Sequence, residues 1–377
     1  MQNTIIHPDA ILEIESIIKK YAADNIFLIT GKDSYKNSGA KNKIKDSLKG
    51  RKITHFWDFK TNPEINDLQK GISVFNKSKC EIIISVGGGS VIDMAKLINY
   101  FYNFKNFAQI SNFDNIVNSA FSPKQHICIP TTAGSGSEAT QFAVMYITEK
   151  KYSIENPGLL PAHVLIDPLL HISQTDYQKA VSGLDALTQS IESIWSNKSN
   201  NESKKFALKS LKILWNNLRE LIKKGDIATH SKIAEAANLA GKAINISKTT
   251  ACHAISYGLT SKYKIPHGHA VAITLPYFLE YNYDINEKNC NDKRGVEYVI
   301  NTMKSIYDII GASSPQNAKD IMINFIKDLN IITKEKINIE LVISCIDKNR
   351  LANNPKKMLD KNIRAILYEL KKSKLCN

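Results

Sequence analysis

Glu81-Ile82-Ile83-Ile84-Ser85-Val86-Gly87-Gly88-Gly89-Ser90-Val91-Ile92-Asp93-Met94-Ala95-Lys96 decides how the first half of the chain folds. A short apolar run, three glycines and a mixed apolar and polar segment follow one another, which reads as a buried strand, a tight turn and a helix. Glycines let a backbone come close to a pyrophosphate, and a helix N-terminus offers unpaired N–H groups and a favourable dipole. Gly88, Gly89 and Ser90 are therefore candidates to hold a dinucleotide. The plain alternative is a tight connection with no ligand, since the turn does not follow G-x-G-x-x-G.

Outward from this stretch the same alternation recurs. Asn25–Thr30, Ile53–Trp57 and His126–Pro130 have the composition of buried parallel strands, and the segments between the four runs have that of helices. Strand and helix in alternation imply a doubly wound, Rossmann-like α/β domain with a parallel sheet over residues 1–168. Beyond Asp167-Pro168 strand signals fade. Lys204–Leu221, Lys232–Ile246, Val296–Ile310 and Ala318–Leu329 have helical spacing, so residues 169–377 are expected to form an all-helical domain that holds a metal and the substrate.

Within that second half, Gly183-Leu184-Asp185-Ala186-Leu187-Thr188-Gln189-Ser190-Ile191-Glu192 places Asp185 and Gln189 one helical turn apart on one face. Cys252-His253-Ala254 and Pro266-His267-Gly268-His269 follow. An Asp and two His from separate helices make an N,N,O ligand set for a divalent transition metal with positions left open, which is a catalytic pattern. Each residue alone has an ordinary explanation as a surface acid or a packed histidine.

The segments taken together resemble the iron-containing (group III) alcohol dehydrogenases. Gly87–Lys96 is similar to that family's Gly-Gly-Gly-Ser-x-x-Asp-x-Ala-Lys motif, and Pro130-Thr131-Thr132-Ala133-Gly134-Ser135-Gly136-Ser137-Glu138 to its nicotinamide-side loop. Thr61-Asn62-Pro63, Lys151 ahead of Leu159-Leu160-Pro161, Asp167-Pro168 and Asn353-Asn354-Pro355 extend the resemblance over nearly the whole chain. It implies a dehydroquinate synthase-like fold and a homodimer. It also implies a metal, iron favoured and zinc possible, on Asp185, His253 and His267. Asp93, Thr131, Thr132, Ser135 and Lys151 would join Gly88, Gly89 and Ser90 at the nicotinamide cofactor. Gln189 stands where the family usually has a fourth ligand, His. A Gln carbonyl can reach a metal but is a weaker ligand than imidazole, so the site either has three ligands or has Gln189 facing the substrate.

Many family members end their first strand in Thr-Asp-Lys, with the Asp on the adenosine ribose of NAD. This chain has Thr30-Gly31-Lys32-Asp33-Ser34-Tyr35-Lys36. Gly31 removes the carboxylate, and Lys32, Ser34 and Lys36 suit a 2′-phosphate, so NADPH is favoured over NADH. The sequence around Asp185, His253 and His267 resembles the phosphonoacetaldehyde reductases in particular, which make 2-hydroxyethylphosphonate. Asn245, Ser247, Lys248 and Thr249, just ahead of His253, offer the donors and cation that a phosphonate needs and an alkyl alcohol does not. The alternative is that Lys248 ends a helix in solvent and the hydroxyls cap the next one. Arg294 is a second candidate anion contact. His269 is a substrate ligand, a proton relay or a packed neighbour of the metal turn.

The composition excludes other classes. A formal charge of +14 comes from dispersed lysines, and arginine occurs only at positions 51, 219, 294, 350 and 364, so the bidentate reader of bases and phosphates is scarce. Six cysteines without a Cys-x-x-Cys pair argue against disulfides and zinc knuckles. No apolar run is long enough to span a membrane, and Met1–His7 lacks the features of a signal peptide, so a cytoplasmic protein is expected, and the resemblance implies a small anionic aldehyde as its substrate. Other functions considered are a short-chain alcohol or diol dehydrogenase of the same family, a lyase of the dehydroquinate synthase type, and a cofactor-binding protein without a metal.

Overall fold

The computed structural model describes residues 2–104, 107, 121–147, 150–346 and 348–376. The chain divides into two compact units, Met1–Gln174 and Thr175–Asn377.

The first unit carries, in order, β1 (Asn3–Ile6), α1 (Ile14–Lys20), β2 (Asn25–Thr30), α2 (Ser34–Asn37), α3 (Ala40–Ile44), β3 (Lys52–Phe56), α4 (Ile65–Ser78), β4 (Ile82–Gly87) and α5 (Gly89–Phe101). After these come β5 (Gln125–Pro130), β6 (Phe142–Ile147), β7 (Lys150–Glu155) and β8 (His163–Ile166). Six strands form a parallel sheet in the order β1-β8-β5-β4-β2-β3. Residues alternate between its two buried faces. Ile26, Leu28, Ile82, Ile84 and Val86 enter one core with Ile11, Ile14 and Ile18, while Phe27, Ile29 and Ile83 enter another with α4 and α5. Burial on both faces explains why β2 and β4 read as unbroken apolar runs.

The four strands read from the sequence are the adjacent central and edge strands β5-β4-β2-β3. β1 and β8 have four residues each and leave little pattern to read. The antiparallel hairpin of β6 and β7, in the register Phe142↔Glu155 to Ile147↔Lys150, is also missing from the strands read above, although β6, Phe-Ala-Val-Met-Tyr-Ile, is an apolar run. Its strand β7, Lys-Lys-Tyr-Ser-Ile-Glu, is mostly polar.

The second unit is helical: α6 (Asp176–Trp195), α7 (Asn201–Lys223), α8 (Ile227–Ser247), α9 (Ala251–Tyr263), α10 (His267–Tyr283), α11 (Val296–Ile310), α12 (Pro315–Asp328), α13 (Ile339–Ile343), α14 (Lys348–Leu351) and α15 (Asp360–Lys372). Its described residues carry no strand beyond isolated bridges. Local chemistry sets the starts of the long helices. Thr175 and Gln178 form a capping box on α6, Asn200 and Ser203 another on α7, and Asp226 caps α8 through the Thr229 amide. Helix α6 packs against α7, α8 and α10, and α9 against α10, α13 and α14. No helix among the described residues is long and apolar enough to cross a membrane.

Candidate functional site

In the helical unit, Asp185 projects from the middle of α6, His253 from the first turn of α9, and His267 is the first residue of α10. Their ligand atoms all lie within 4.8 Å of one another. His253 Nε2 is 3.4 Å from Asp185 Oδ1, and the rings of His253 and His267 are 5.3 Å apart at 71°. Gly268 makes this approach possible. A Cβ there would sit 2.0 Å from the Val181 carbonyl oxygen and 3.2 Å from Asp185 Cβ, so only glycine lets the start of α10 lie against α6. That is a physical role for the Pro-His-Gly turn.

Glu192, given no role by the sequence reading, organises the cluster from behind. It lies seven residues after Asp185, so Asp185, Gln189 and Glu192 share one buried face of α6. Its carboxylate accepts from the Thr250 hydroxyl at 2.8 Å, from the Cys252 amide at 2.8 Å and from His253 Nδ1. Burial opposes the charge on Glu192, but His253 and Thr250 outweigh it and hold its pKa down. Burial likewise works against a charge on His253, while Glu192 and Asp185 raise its pKa. An ionised Glu192 taking the Nδ1–H leaves Nε2 facing Asp185, the orientation a metal ligand needs. The i+7 spacing of a further acid on a polar helix face was the available signal.

Two imidazoles and a carboxylate on three helices, with one imidazole oriented by a buried carboxylate, suit a divalent metal such as iron or zinc. Gln189 is buried on the Asp185 face. His269 is 5% exposed. Its Nδ1 is 3.0 Å from the Tyr177 hydroxyl, its Nε2 has no hydrogen-bond partner among the described residues, and burial lowers its pKa to about 4.

The turn before α9 is strained. Lys248 has φ 60° and ψ 174°, a region that essentially only glycine occupies. The Asn353 amide holds it by donating to the carbonyls on either side, Ser247 O at 2.9 Å and Thr249 O at 3.0 Å. Lys248 is half-buried, with Nζ 3.3 Å from the Asn245 carbonyl. Thr249 Oγ1 accepts from Arg350 Nη1 at 2.5 Å.

Two expected substrate contacts are corrected. Ser247 is fully buried, 2.7 Å from the Ser193 hydroxyl and 3.0 Å from the Ala243 carbonyl, so it is an interior residue of the α8 end. Arg294 donates to both Asp292 oxygens, to the Ser196 and Ser199 carbonyls and to Tyr298, which ties its guanidinium into the protein.

In the first unit, Gly88 caps α5 and the glycine turn lies against the Thr131–Ser135 loop. A Cβ on Gly88 would be 3.3 Å from Thr132 Oγ1, and one on Gly89 2.6 Å from Ser135 Oγ. The Thr131 amide donates to the Gly87 carbonyl at 3.0 Å, and Ser90 Oγ accepts from the Asn62 amide at 3.2 Å. The bare backbone of a helix start facing a hydroxyl-bearing loop suits a pyrophosphate. Asp93, an expected cofactor contact, is held by protein partners. Its carboxylate accepts from Ser137 Oγ at 2.5 Å and from the Val144 amide at 3.1 Å, and burial pushes its pKa up. The fully buried Lys96 works beside it, donating to the carbonyls of Ser137, Thr140 and Phe142 at 2.5 to 3.0 Å. Lys151 is half-buried on β7, near enough to lower the Asp93 pKa in part.

At the end of β2, a Cβ on Gly31 would meet Ser34 Oγ at 2.2 Å. Lys32 and Lys36 line a pocket of about 700 Å³ together with Lys41, Lys45, His55 and one carboxylate, that of Asp33.

Residues 2–168 match the family described as Iron-containing alcohol dehydrogenase, and residues 179–370 match Fe-containing alcohol dehydrogenase family, C-terminal. The chain is 32% identical over 272 residues to "Aldehyde-alcohol dehydrogenase 2" of Entamoeba histolytica, a match covering 68% of this chain and 31% of that protein. It thus spans about a third of that relative's length. It is 26% identical over 302 residues to the phosphonoacetaldehyde reductase of Streptomyces viridochromogenes, covering 77% of this chain and 76% of that one. The crystal structure of a sulfoacetaldehyde reductase from Bifidobacterium kashiwanohense in complex with NAD+ has the same fold, with a TM-score of 0.85 at 24% identity over 98% of this chain and 96% of the other.

Proposed function

The chain belongs to the iron-containing alcohol dehydrogenase family, and from that membership we propose that it reduces a small anionic aldehyde to the primary alcohol, phosphonoacetaldehyde to 2-hydroxyethylphosphonate, with NADPH. The observation that carries the substrate assignment is the strained turn at Lys248. A lysine held in a glycine-only conformation five residues before a metal ligand costs roughly 1 to 3 kcal/mol, a cost that persists where the position has a use. Similarity to a phosphonoacetaldehyde reductase supports the same reading.

When bound, the metal supplies Lewis-acid polarisation of a carbonyl and the nicotinamide supplies a hydride. Asp185, His253 and His267 hold the metal, and Glu192 keeps His253 in the ligating tautomer. Gln189 offers an amide carbonyl beside three stronger ligands. Lys248, with Asn245 and the Thr249 hydroxyl beside it, fixes the anionic end so that the aldehyde end meets the ligand cluster. His269, neutral at physiological pH, packs beside that cluster with an acceptor nitrogen. Gly88, Gly89 and Ser90, with Thr131, Thr132 and Ser135, hold the cofactor phosphates. Gly31 brings no carboxylate to repel a 2′-phosphate, and Lys32 and Lys36 bring charge to attract one. One NADPH and one proton are consumed per alcohol formed.

The test is an aldehyde panel on the metal-loaded enzyme with both cofactors. Phosphonoacetaldehyde should exceed propanal and 3-hydroxypropanal in kcat/KM, and NADPH should exceed NADH. Neutral aldehydes turned over equally well would make the enzyme a short-chain alcohol or diol dehydrogenase. Product formed at constant cofactor absorbance would make it a lyase.

A further inference from the structure

Arg350 lies 101 residues beyond Thr249 in sequence, yet its Nη1 donates to Thr249 Oγ1 at 2.5 Å. The same guanidinium lies 5.7 Å from the centroid of the Tyr257 ring. Tyr257 lies one turn after His253 on the same side of α9, whereas Thr249 precedes the helix, next to Lys248 in the strained turn. Arg350 therefore touches both the turn that carries Lys248 and the α9 residue one turn beyond His253. Its own segment is anchored. Three residues on, Asn353 bonds both carbonyls around Lys248, so the stretch 350–353 delivers a guanidinium and holds the lysine turn together.

We propose that Arg350 is a specificity-determining residue that binds the tetrahedral oxoanion of the substrate together with Lys248. The inference rests on the proposed reduction of an anionic aldehyde and names the second cation that such a substrate requires. A phosphonate dianion carries about two negative charges, and one flexible ammonium matches neither the charge nor the geometry. A planar guanidinium offers paired donors to two oxygens of a tetrahedral anion. Thr249 orients it from one side and the Tyr257 ring from another, which limits the rotamers it loses on binding. A sulfonate presents the same oxygens with less charge and should use the same residue more weakly.

The experiment compares wild type, Arg350→Ala, Arg350→Lys and the surface control Arg364→Ala, whose exposed guanidinium pairs with the exposed Glu340. Each is assayed as metal-loaded full-length enzyme with phosphonoacetaldehyde, sulfoacetaldehyde and propanal. Inhibition of propanal reduction by 2-hydroxyethylphosphonate measures anion binding apart from anion turnover. In Arg350→Ala the ratio of kcat/KM for phosphonoacetaldehyde to that for propanal should fall by about 30- to 1000-fold, mostly through KM, and the inhibition constant should rise by a comparable factor. Sulfoacetaldehyde should fall less, Arg350→Lys should be intermediate, and Arg364→Ala should leave the ratio unchanged. An unaltered ratio, or equal losses on both substrates with an unaltered inhibition constant, overturns the proposal. If Arg350→Ala does not fold, Arg350→Lys decides: the same ratio and inhibition constant as wild type overturn the assignment. Failure of the underlying function is distinguishable, because wild type itself would then show no preference for anionic aldehydes.

Discussion

Lys248 carries both backbone strain and charge at the approach to His253, and the two can be separated by substitution. Lys248→Ala keeps the strain and loses the cation, whereas Lys248→Gly loses both. The glycine variant should be the more stable of the two by about 1 kcal/mol in urea unfolding, since only glycine populates φ 60°, ψ 174° at little cost. Both variants should lose roughly 2 to 4 kcal/mol in kcat/KM for phosphonoacetaldehyde and little for propanal. Equal stability of the two variants would remove the strain argument. Glu192 makes a different residue-scale prediction. Glu192→Gln leaves His253 Nδ1 without its carboxylate acceptor and sets an amide against the Cys252 N–H, so metal affinity should fall about 10- to 100-fold with little change in circular dichroism. Affinity measured by competition with a chromophoric chelator reads this without any assay of turnover, and an unchanged value would reduce Glu192 to a core acid.

At the scale of elements, the site depends on how closely two helix segments approach. Helix α10 starts at His267 against the Val181 and Asp185 turn of α6, and Gly268 is the contact. The neighbouring atom is a helix backbone carbonyl, not the end of a flexible side chain, so it cannot step aside. Gly268→Ala should therefore cost about 1 to 3 kcal/mol or more in urea unfolding and weaken metal binding as His267 is pushed from Asp185. Wild-type stability and wild-type metal affinity in that variant would show that the approach is not tight. In the sheet unit, Asp93 and Lys96 of α5 play the matching part. They tie the helix that begins at the glycine turn to the Ser137–Val144 segment, so the two sides of the candidate phosphate cradle are held by one half-buried acid and one buried base.

For the whole molecule, the division into two units has a thermodynamic consequence. All three candidate metal ligands belong to Thr175–Asn377, so a metal bound there would stabilise that unit directly by mass action, about 4 kcal/mol at a metal concentration a thousand times the dissociation constant. Calorimetry with and without a chelator should move the transition of the helical unit and leave a separable transition of the sheet unit near its place. A chelator that shifts neither would argue against a metal at Asp185, His253 and His267.

The sequence by itself determined the elements whose signal is local. Unbroken apolar runs bounded by turns mark β2, β4 and β5 because both faces of a parallel strand are buried, and helical periodicity marks α7, α8, α11 and α12. Asp185, His253 and His267 were legible as a set because each sits in a short motif of its own. Tertiary structure alone decided the rest. β1 and β8 are too short for a period to show, and the polar β7 is a strand because β6 pairs with it. Ser247 and Arg294 look like anion donors in one dimension, yet Ser193, Asp292 and Tyr298 take up their hydrogen bonds. Glu192 and Arg350 acquire their roles from partners 61 and 101 residues away. The physical reason is common to all of these. Periodicity and turn chemistry act over a few residues, whereas a side chain's hydrogen-bond partner and its burial are set by packing between segments that the sequence does not place side by side.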